Sequence, residues 1–366
     1  MPFSRYMEMC LYDRELGYYS RNAEKFGKAG DFYTSSDVHA VFGRLLARQF
    51  DEIWRRMGSP SRVEVLELGP GRGLFAQDVL DWAEKKFPDF FSAVHYSLAE
   101  RAPSLRVRLQ QTLKRHLGAG RASLVPESTT EGCPALSETG VSACIVFANE
   151  FFDALPVEIV SKQGSLRITS ENSRLKEIWA APSAAELTFL DLYGVHPEPG
   201  ERIEVPLAAQ HCLNQLAAHA DKSVFVLVDY GYTRQEQLGG RHRGTLMTFR
   251  QHSAANDPYE APGEQDITAH VNFTALAAAA EQNGMQVRPL VTQSQLLLGI
   301  GEATQFADAF EDTRLPQERA KRALQLKHLI NPEGMGETFK VMVASKGVEN
   351  VPSLSGLSFG RNKSER

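Results

Sequence analysis

Residues 63–73 read Val-Glu-Val-Leu-Glu-Leu-Gly-Pro-Gly-Arg-Gly, and this stretch decides the fold class. It has the pattern of a buried strand that runs into a loop with glycines at 69, 71 and 73. Glycine has no Cβ, so the backbone can turn tightly at these positions and lie close to a ligand. Residues 74–82 have a helical pattern, so the loop precedes a helix N-terminus whose free N–H groups attract electron-rich ligand atoms. The stretch therefore predicts a ligand-binding loop between a strand and a helix.

The glycine spacing excludes two common nucleotide-binding loops. A dinucleotide fingerprint needs glycines at 69, 71 and 74, whereas position 74 is leucine. A phosphate-binding G-x-x-x-x-G-K loop needs glycine at 74 and lysine at 75, and position 75 is phenylalanine. The E-x-G-x-G-x-G pattern is instead similar to the nucleoside-binding loop of S-adenosylmethionine (SAM) methyltransferases.

Composition places the chain among ordinary globular proteins. It has 366 residues, of which 42% are apolar and 23% charged, enough for one large or two smaller domains with a core that needs no disulfide or metal. The net charge of −5 argues against a nucleic-acid surface, which usually needs a basic stripe. The four cysteines include no C-x-x-C pair, so we expect reduced thiols.

The sequence contains no signal for insertion into a membrane. Its longest apolar runs are far shorter than the ~20 residues that a spanning helix needs. The first residues, Met-Pro-Phe-Ser-Arg-Tyr, lack the basic and apolar regions of a signal peptide and are not an Arg- and Ser-rich transit segment. We therefore expect a protein of the bacterial cytoplasm, or a mature form without its leader.

The order of the predicted elements indicates an α/β fold with an insertion. From residue 63 onward, strands and helices alternate, which is typical of a parallel sheet. Short antiparallel strands between 157 and 205 interrupt this alternation. The predicted strands of the sheet lie at 63–68, 94–99, 122–125, 143–148 and 223–229, with two closing strands at 244–249 and 338–344. The predicted helices lie at 74–86, 103–116, 207–219, 273–283 and 303–328.

These elements divide the chain into three parts. The predicted parts are an N-terminal helical, lid-like segment at 1–57, a domain at 58–349 with an insertion at about 157–220, and a disordered Ser- and charge-rich tail at 350–366. Residues 231–268 form a long irregular stretch, and loops of this length in compact domains are often functional.

Two carboxylates at strand ends are candidates for ligand binding. Glu67 precedes the first glycine by two residues, where it can bind the cationic amino group of a methionine moiety; alternatively, it caps the next turn. Glu100 ends the second predicted strand, where an acid in a nucleotide-binding sheet can accept hydrogen bonds from the ribose hydroxyls. The alternative for Glu100 is a solvated loop acid.

The densest polar cluster follows the fourth predicted strand. Residues 143–157 end in Asn-Glu-Phe-Phe-Asp-Ala-Leu-Pro-Val, so Asn149, Glu150 and Asp153 would project at the carboxyl edge of the sheet, where ligands bind. A pair of carboxylates beside aromatic rings can hold and desolvate a cation. Alternatively, Asn149 caps a helix whose first turn carries Glu150 and Asp153, where acids favour the helix dipole.

Three further residues are tentative substrate contacts. Asp229 and Tyr232 end the strand after Ser-Val-Phe-Val-Leu-Val, although they also fit a glycine-bearing turn with packed tyrosines. His270 follows Asp266 by four residues, but two ligands are too few for a metal site, and we expect Asp266 to cap a short helix. A Ser-His-Asp hydrolase has no support, because no G-x-S-x-G motif occurs.

Taken together, the motifs resemble the MidA-like SAM-dependent methyltransferases, a family that includes the mitochondrial complex I assembly-factor arginine methyltransferase. The resemblance covers residues 1 to about 345. The matching motifs are Tyr6-Met7-Glu8, Leu11-Tyr12-Asp13, Leu16-Gly17-Tyr18-Tyr19, Gly30 to Ser35, Glu67 to Gly73, Ala148 to Pro156, Asp229 to Tyr232, Asp266 to Phe273 and Gly334 to Lys340.

The resemblance implies a seven-stranded, doubly wound SAM-methyltransferase sheet with an N-terminal helical extension and an inserted substrate-side element. It implies that Asp31, Thr34 and Ser35 approach the cofactor SAM beside the glycine loop, Glu100 and Asn149. It further implies a protein substrate, an arginine on a core complex I subunit. The alternatives are methylation of another protein or small molecule, and a SAM-binding assembly chaperone with little turnover. Arg101, next to the expected ribose site, departs from the family pattern.

Overall fold

The computed structural model describes residues 1–21, 40–126, 143–172, 174–218, 221–250, 253–255, 257–332 and 334–360. Its strands are β1 (Val63–Leu68), β2 (Val94–Ala99), β3 (Ala122–Leu124), β4 (Cys144–Asn149), β5 (Glu158–Ser161), β6 (Gly164–Glu171), β7 (Arg174–Ala180), β8 (Ile203–Val205), β9 (Ser223–Tyr232), β10 (Met247–Arg250), β11 (Ser253–Ala255), β12 (Asp266–Thr268), β13 (Val271–Asn272), β14 (Gln286–Val287), β15 (Val291–Thr292) and β16 (Phe339–Lys346).

Helices connect and cover these strands. They are α1 (Phe3–Tyr12), α2 (Tyr18–Arg21), α3 (Ala40–Arg56), α4 (Leu74–Lys86), α5 (Pro88–Ala93), α6 (Pro103–Thr112), α7 (Lys114–Gly118), α8 (Ala184–Leu192), α9 (Leu207–Ala218), α10 (Arg234–Leu238), α11 (Phe273–Gln282), α12 (Gln293–Glu302), α13 (Ala307–Phe310), α14 (Pro316–Ile330) and α15 (Met335–Thr338). Among the described helices, none has both the length and the apolar character needed to cross a bilayer.

The central sheet confirms the predicted doubly wound fold. Seven strands follow one another in the order β14-β16-β9-β4-β1-β2-β3, and the short strands β13 and β15 pair with β9 and β16. The five strands from β9 to β3 are parallel, whereas β16 runs antiparallel to both β9 and β14. Parallel neighbours require crossover connections, so helices cover both faces of the sheet.

Two cores flank this sheet because successive side chains of a strand point to opposite faces. Val63 and Val65 of β1 belong to one core, which also contains the rings of Phe75 and Phe147 stacked with centroids 4.4 Å apart. Leu66 belongs to the other core, under α9 and α11. All six residues of β1 are buried, including the carboxylates Glu64 and Glu67.

The predicted insertion is present as a separate antiparallel sheet with the order β7-β6-β5-β8. The helix α8 lies between β7 and β8 in the chain. The first closing strand was wrongly predicted, because β10 pairs with β11 and β12 in a small third sheet. The second prediction is confirmed, since β16 lies in the central sheet and pairs with β9 from Ser223 to Tyr230.

The N-terminal helix α1 packs on the insertion and on the small third sheet. Its side chains Phe3, Met7 and Leu11 are fully buried in one cluster with Leu166 of β6 and Ile267 of β12. The N-terminal segment is therefore docked against the inserted element through residues that are distant in sequence.

Two of the helices predicted from the sequence are divided into shorter helices in the structure. Instead of one helix over 303–328, α12 ends at Glu302, α13 is short, and α14 begins at Pro316. Proline suits the first position of a helix because its missing N–H has no partner there in any case. Leu113 similarly separates α6 from α7 inside the predicted helix 103–116.

The prediction of a disordered tail is wrong for residues 351–360. This stretch forms two turns of 3-10 helix, Val351–Ser353 and Ser355–Leu357, and its side chains Val351, Leu354 and Leu357 are buried. The Ser355 N–H donates to the Glu52 carboxylate at 3.0 Å. The Ser-rich composition hid three apolar residues at the spacing of one helical face.

We predict that Leu354→Ala lowers the free energy of unfolding by about 2–5 kcal/mol, because Leu354 is only 2% exposed and its loss leaves a cavity. Urea denaturation measures this change. The matched control is Leu238→Ala at a leucine that is 57% exposed, where we expect a change within about 0.5 kcal/mol. Equal, small effects of the two substitutions would mean that the tail does not pack in solution.

Candidate active site

The glycine loop lies at the carboxyl end of β1 with left-handed backbone at each glycine. The φ angles of Gly69, Gly71 and Gly73 are 62°, 54° and 76°. A Cβ at Gly69 or Gly73 would meet a side-chain carbon of Phe151 or Leu109 at 3.1–3.2 Å, whereas a Cβ at Gly71 would meet no atom within 4 Å. Gly71 therefore borders open space, as a loop that admits a ligand requires.

Glu100 lies against this loop, as its position at a strand end predicts. Its Oε2 accepts a hydrogen bond from the Gly71 N–H at 3.1 Å, and its Oε1 accepts one from the Ala102 N–H at 2.8 Å. Burial raises the pKa of the Glu100 carboxyl to about 7. The ends of β1 and β2 thus contribute to one site.

Glu67 is the second carboxylate of this site, and it is only 5% exposed. The Tyr96 hydroxyl on β2 donates to its Oε2 at 2.9 Å. Burial raises the pKa of Glu67 to about 8, and the Glu100 carboxylate adds to the shift. Sequence reasoning missed Tyr96, whose only signal was its hydroxyl on β2, the strand that pairs with β1.

Raised pKa values at Glu67 and Glu100 predict that a cationic ligand releases protons when it binds. Near pH 7 the free site holds protons on these carboxyls, and a bound ammonium group favours the ionised forms. Calorimetry of S-adenosyl-homocysteine binding in buffers of different ionisation enthalpy measures this release. We expect it to shrink above about pH 8 and in Glu67→Gln; an unchanged release in that variant would refute the role of Glu67.

The same shifts have a definite sign for stability in the absence of ligand. A carboxyl whose pKa is raised by folding contributes its full stabilisation of the folded state when the pH is below its ordinary pKa. That contribution is lost as the pH rises through about 7 for Glu100 and about 8 for Glu67.

The segment after β4 is a turn, and the predicted helix that Asn149 would cap is absent. Residues 150–157 belong to no helix or strand. Glu150 has a φ of +52°, and its Oε1 accepts a hydrogen bond from the Asn149 Nδ2 at 3.0 Å. Two buried oxygens of this segment, Asn149 Oδ1 and Asp153 Oδ1, have no hydrogen-bond partner among the described residues.

Asp229 organises this turn from the neighbouring strand β9. Its Oδ2 accepts hydrogen bonds from the N–H groups of Phe151, Phe152 and Asp153 at 3.3, 3.1 and 3.3 Å, and its Oδ1 accepts one from Tyr230 N–H at 2.9 Å. Burial raises its pKa, and the nearby carboxylates of Asp153 and Glu150 raise it further. Asp229 thus faces the backbone of the turn.

Asp153 lies beside Asp229 and is 2% exposed. The Tyr230 hydroxyl donates to Asp153 Oδ2, and burial raises the pKa of Asp153 to about 6. The three acids Glu150, Asp153 and Asp229 therefore lie close together at the carboxyl edge of the sheet, where a turn after β4 meets β9.

The other two residues predicted to contact the substrate, His270 and Tyr232, both pack against the ring of His242. The His270 ring is 5.3 Å from the Tyr230 ring, and its Nδ1 is 3.2 Å from His242 Nδ1. Burial, His242 and Lys340 lower the pKa of His270 to about 4, so its imidazole is neutral at pH 7. Tyr232 is fully buried and stacks on His242, a position that does not favour contact with a substrate.

The expected role of Asp266 as a helix cap is wrong, because Asp266 lies in β12. Its Oδ1 accepts a hydrogen bond from the Tyr19 hydroxyl at 2.9 Å, which ties the short helix α2 to this strand. In the part of the chain that the structure describes, no three His, Cys, Asp or Glu side chains gather as metal ligands.

The N-terminal segment reaches the same edge of the sheet through Tyr12 and Glu8, which belong to two of the matching motifs. The Tyr12 hydroxyl donates to the Ala154 carbonyl at 3.0 Å. Arg101 lies over the Tyr12 ring, with its guanidinium carbon 4.9 Å from the centroid, and donates to Glu8 at 3.0 Å. Arg101 thus joins the end of β2 to α1.

The predicted cofactor contacts of the N-terminal motif, Asp31, Thr34 and Ser35, lie outside the described residues, as do all residues from 22 to 39 of the predicted lid-like segment. Their approach to the cofactor stays a prediction.

Solved structures and curated proteins resemble the chain over most of its length. One of them is the crystal structure of a likely methyl transferase from Burkholderia thailandensis bound to S-adenosyl-homocysteine. It superimposes with a TM-score of 0.80 at 26% sequence identity, and the match covers 100% of this chain and 92% of that protein. The Drosophila melanogaster protein named "Protein arginine methyltransferase NDUFAF7 homolog, mitochondrial" is 28% identical, covering 95% of this chain and 82% of its own. The human "Protein arginine methyltransferase NDUFAF7, mitochondrial" is 27% identical, covering 92% of this chain and 78% of its own.

A family model described as "Putative S-adenosyl-L-methionine-dependent methyltransferase" matches residues 45–291. The match includes the glycine loop, both carboxylates at the ends of β1 and β2, and the acidic turn after β4. The resemblance to SAM-dependent methyltransferases is thereby confirmed, and so is SAM as the cofactor. The chain belongs to this family and is a SAM-dependent methyltransferase.

Proposed function

We propose that the protein methylates an arginine side chain of a protein substrate, with Glu150 and Asp153 as the catalytic acids. The observation that carries this proposal is the buried Asp153 Oδ1, which has no hydrogen-bond donor within the described residues. Glu150 lies half-buried beside it. An acceptor group rich in N–H donors would satisfy the Asp153 oxygen and place a positive charge beside the Glu150 carboxylate, and the names of the Drosophila and human relatives support arginine as that group.

The cofactor would lie between the glycine loop and the ends of β1, β2 and β4. The open space at Gly71 admits it, and Glu67, Glu100 and Asn149 supply acceptors along the same edge. In this arrangement Gly69 and Gly73 keep the loop close to Phe151 and Leu109. When bound, SAM supplies a methyl group that its sulfonium already makes electrophilic.

The work left to the protein is to orient and desolvate the accepting nitrogen. A guanidinium keeps its charge in proteins and presents five donors in a planar fork. Carboxylates that accept from two of its nitrogens fix its plane and draw positive charge away from the third. Orientation of this kind can lower a barrier by roughly 7–11 kcal/mol.

Asp153 has a pKa of about 6, so it is mostly ionised at neutral pH, and a bound guanidinium would lower that pKa further. The acid pair would thus recognise a cation with little loss to protonation under ordinary conditions. A neutral small-molecule acceptor would gain nothing from this charge, and this difference supports the proposal of an arginine acceptor.

The acceptor protein is identified by labelling. Extract from a strain that lacks the gene is incubated with purified protein and labelled SAM, and mass spectrometry locates the modified residue. The resemblance makes a core complex I subunit the first candidate. Labelled arginine in any protein supports the proposal, whereas label on another residue type or a small molecule refutes it. Cofactor binding without any labelled product would favour the assembly chaperone.

A further inference from the structure

We infer that Asp229 is a positioning residue: it holds the backbone of residues 151–153 and thereby fixes the side chain of Glu150 at the active site. The inference rests on the proposed role of Glu150 and reassigns Asp229, which the sequence suggested as a substrate contact. Asp229 is 1% exposed, and both of its oxygens accept hydrogen bonds from backbone N–H groups.

The turn after β4 needs such an external acceptor. A buried backbone N–H must find a partner, and in a helix or strand that partner is another carbonyl. Residues 151–153 lie in neither. Their three N–H groups converge on one carboxylate oxygen of Asp229, which is 76–78 positions further along the chain.

The conformation of Glu150 is the feature that this contact stabilises. A φ of +52° is unfavourable for a side chain with a Cβ, and such a residue persists only when its surroundings determine it. The Glu150 N–H donates to the Val228 carbonyl at 3.0 Å, one residue before Asp229. Adjacent residues of β9 thus hold the backbone on both sides of the Glu150 side chain.

The cost of this arrangement argues for a functional purpose. Asp229 brings a third carboxylate next to Glu150 and Asp153, and both neighbours disfavour its ionised form. A protein that needed only to satisfy three N–H groups could use a neutral amide or a carbonyl there. A carboxylate accepts from four donors at once and holds the turn in one conformation.

The first test measures amide hydrogen exchange of residues 151–153. In the unmodified protein we expect slow exchange, in spite of their turn conformation; rates typical of an exposed loop would overturn the inference. Asp229→Asn has only one carbonyl oxygen, so it should accelerate exchange at these amides at least tenfold, and Asp229→Ala should do so further. Unchanged exchange in both variants would equally refute the inference.

A matched control comes from another buried carboxylate that accepts from a loop backbone. Glu204 is 2% exposed and accepts from the N–H groups of Thr245 and Leu246 at 2.9 and 3.1 Å. Glu204→Gln should accelerate exchange at those two amides and leave residues 151–153 unchanged. Acceleration at 151–153 in this variant would mean that the effect reports general loosening and not the Asp229 contact.

The second test asks whether Asp229 acts through Glu150. Asp229→Asn should lower kcat at least tenfold, with the affinity for S-adenosyl-homocysteine and the acceptor KM within about twofold. In a Glu150→Gln background the same substitution should lower kcat less than twofold further, because the group that it positions has already lost its charge. Multiplicative losses would show that Asp229 acts independently and would overturn the inference. If arginine is not the acceptor, the proposed function fails, while the exchange experiment still decides the role of Asp229.

Discussion

Replacing Glu150 by glutamine is expected to slow methyl transfer by at least ~100-fold, with little change in the affinity for S-adenosyl-homocysteine. Glutamine keeps the shape of the side chain and an oxygen that can accept from Asn149 Nδ2, so charge is the principal change. A single preorganised charge commonly supplies about 3 kcal/mol of transition-state stabilisation, which corresponds to this factor. Asp153→Asn should act in the same direction. Single-turnover rates with a verified acceptor, together with calorimetric binding of S-adenosyl-homocysteine, measure the two effects separately.

The matched control for this prediction is Glu158→Gln. Glu158 is also half-buried and lies eight positions further on, but its carboxylate accepts from Ser4 on α1 at 2.6 Å. We expect near-normal methylation in this variant. If Glu150→Gln and Asp153→Asn both retain normal rates, the acidic turn has only a structural role, and His270 becomes the next candidate.

Replacing Gly71 by valine is expected to weaken binding of S-adenosyl-homocysteine more than ~100-fold. Nothing lies within 4 Å of the position that a Cβ would occupy, so the new side chain would enter the space that we assign to the cofactor. A φ of +54° adds strain of about 1–2 kcal/mol for a residue with a Cβ. Calorimetry measures the affinity, and thermal unfolding measures the loss of stability.

Gly120→Val separates strain from ligand exclusion. Gly120 lies in the turn before β3 with a φ of +68°, and a Cβ there would also meet no atom within 4 Å. Both variants should lose similar stability, but the Gly120 variant should bind S-adenosyl-homocysteine as the unmodified protein does. Normal binding by Gly71→Val would exclude the glycine loop as the cofactor site.

Local sequence patterns predicted the parts of the site that depend on strand order. The alternation of strands and helices places Glu67 and Glu100 at the same edge of the sheet, and the Gly71 N–H does donate to Glu100. β1, β2 and α4 have the predicted bounds. These features could be predicted because hydrophobic periodicity and glycine spacing act over a few residues.

The acidic turn could not be predicted in the same way. Asn149, Glu150 and Asp153 have the spacing of a helix N-terminus, and local reasoning favours that structure. A turn is found instead, and Asp229, distant in sequence, accepts hydrogen bonds from the N–H groups of its residues 151–153. The bonds of Tyr96 with Glu67 and of Tyr12 with Ala154 are likewise long-range, and a single sequence gives no register for them.

The burial of α1 has a consequence for how the chain folds. Phe3, Met7 and Leu11 are synthesised well before their partner Ile267, which emerges from the ribosome more than 250 residues later. At about 5–20 residues per second, that interval lasts on the order of ten seconds or more. During this time the apolar face of α1 lacks its final partners, and contacts of such high sequence separation form slowly. The cluster between α1, the inserted sheet and the small third sheet is therefore completed late in biosynthesis, and we expect nascent chains to depend on protection from aggregation over that interval.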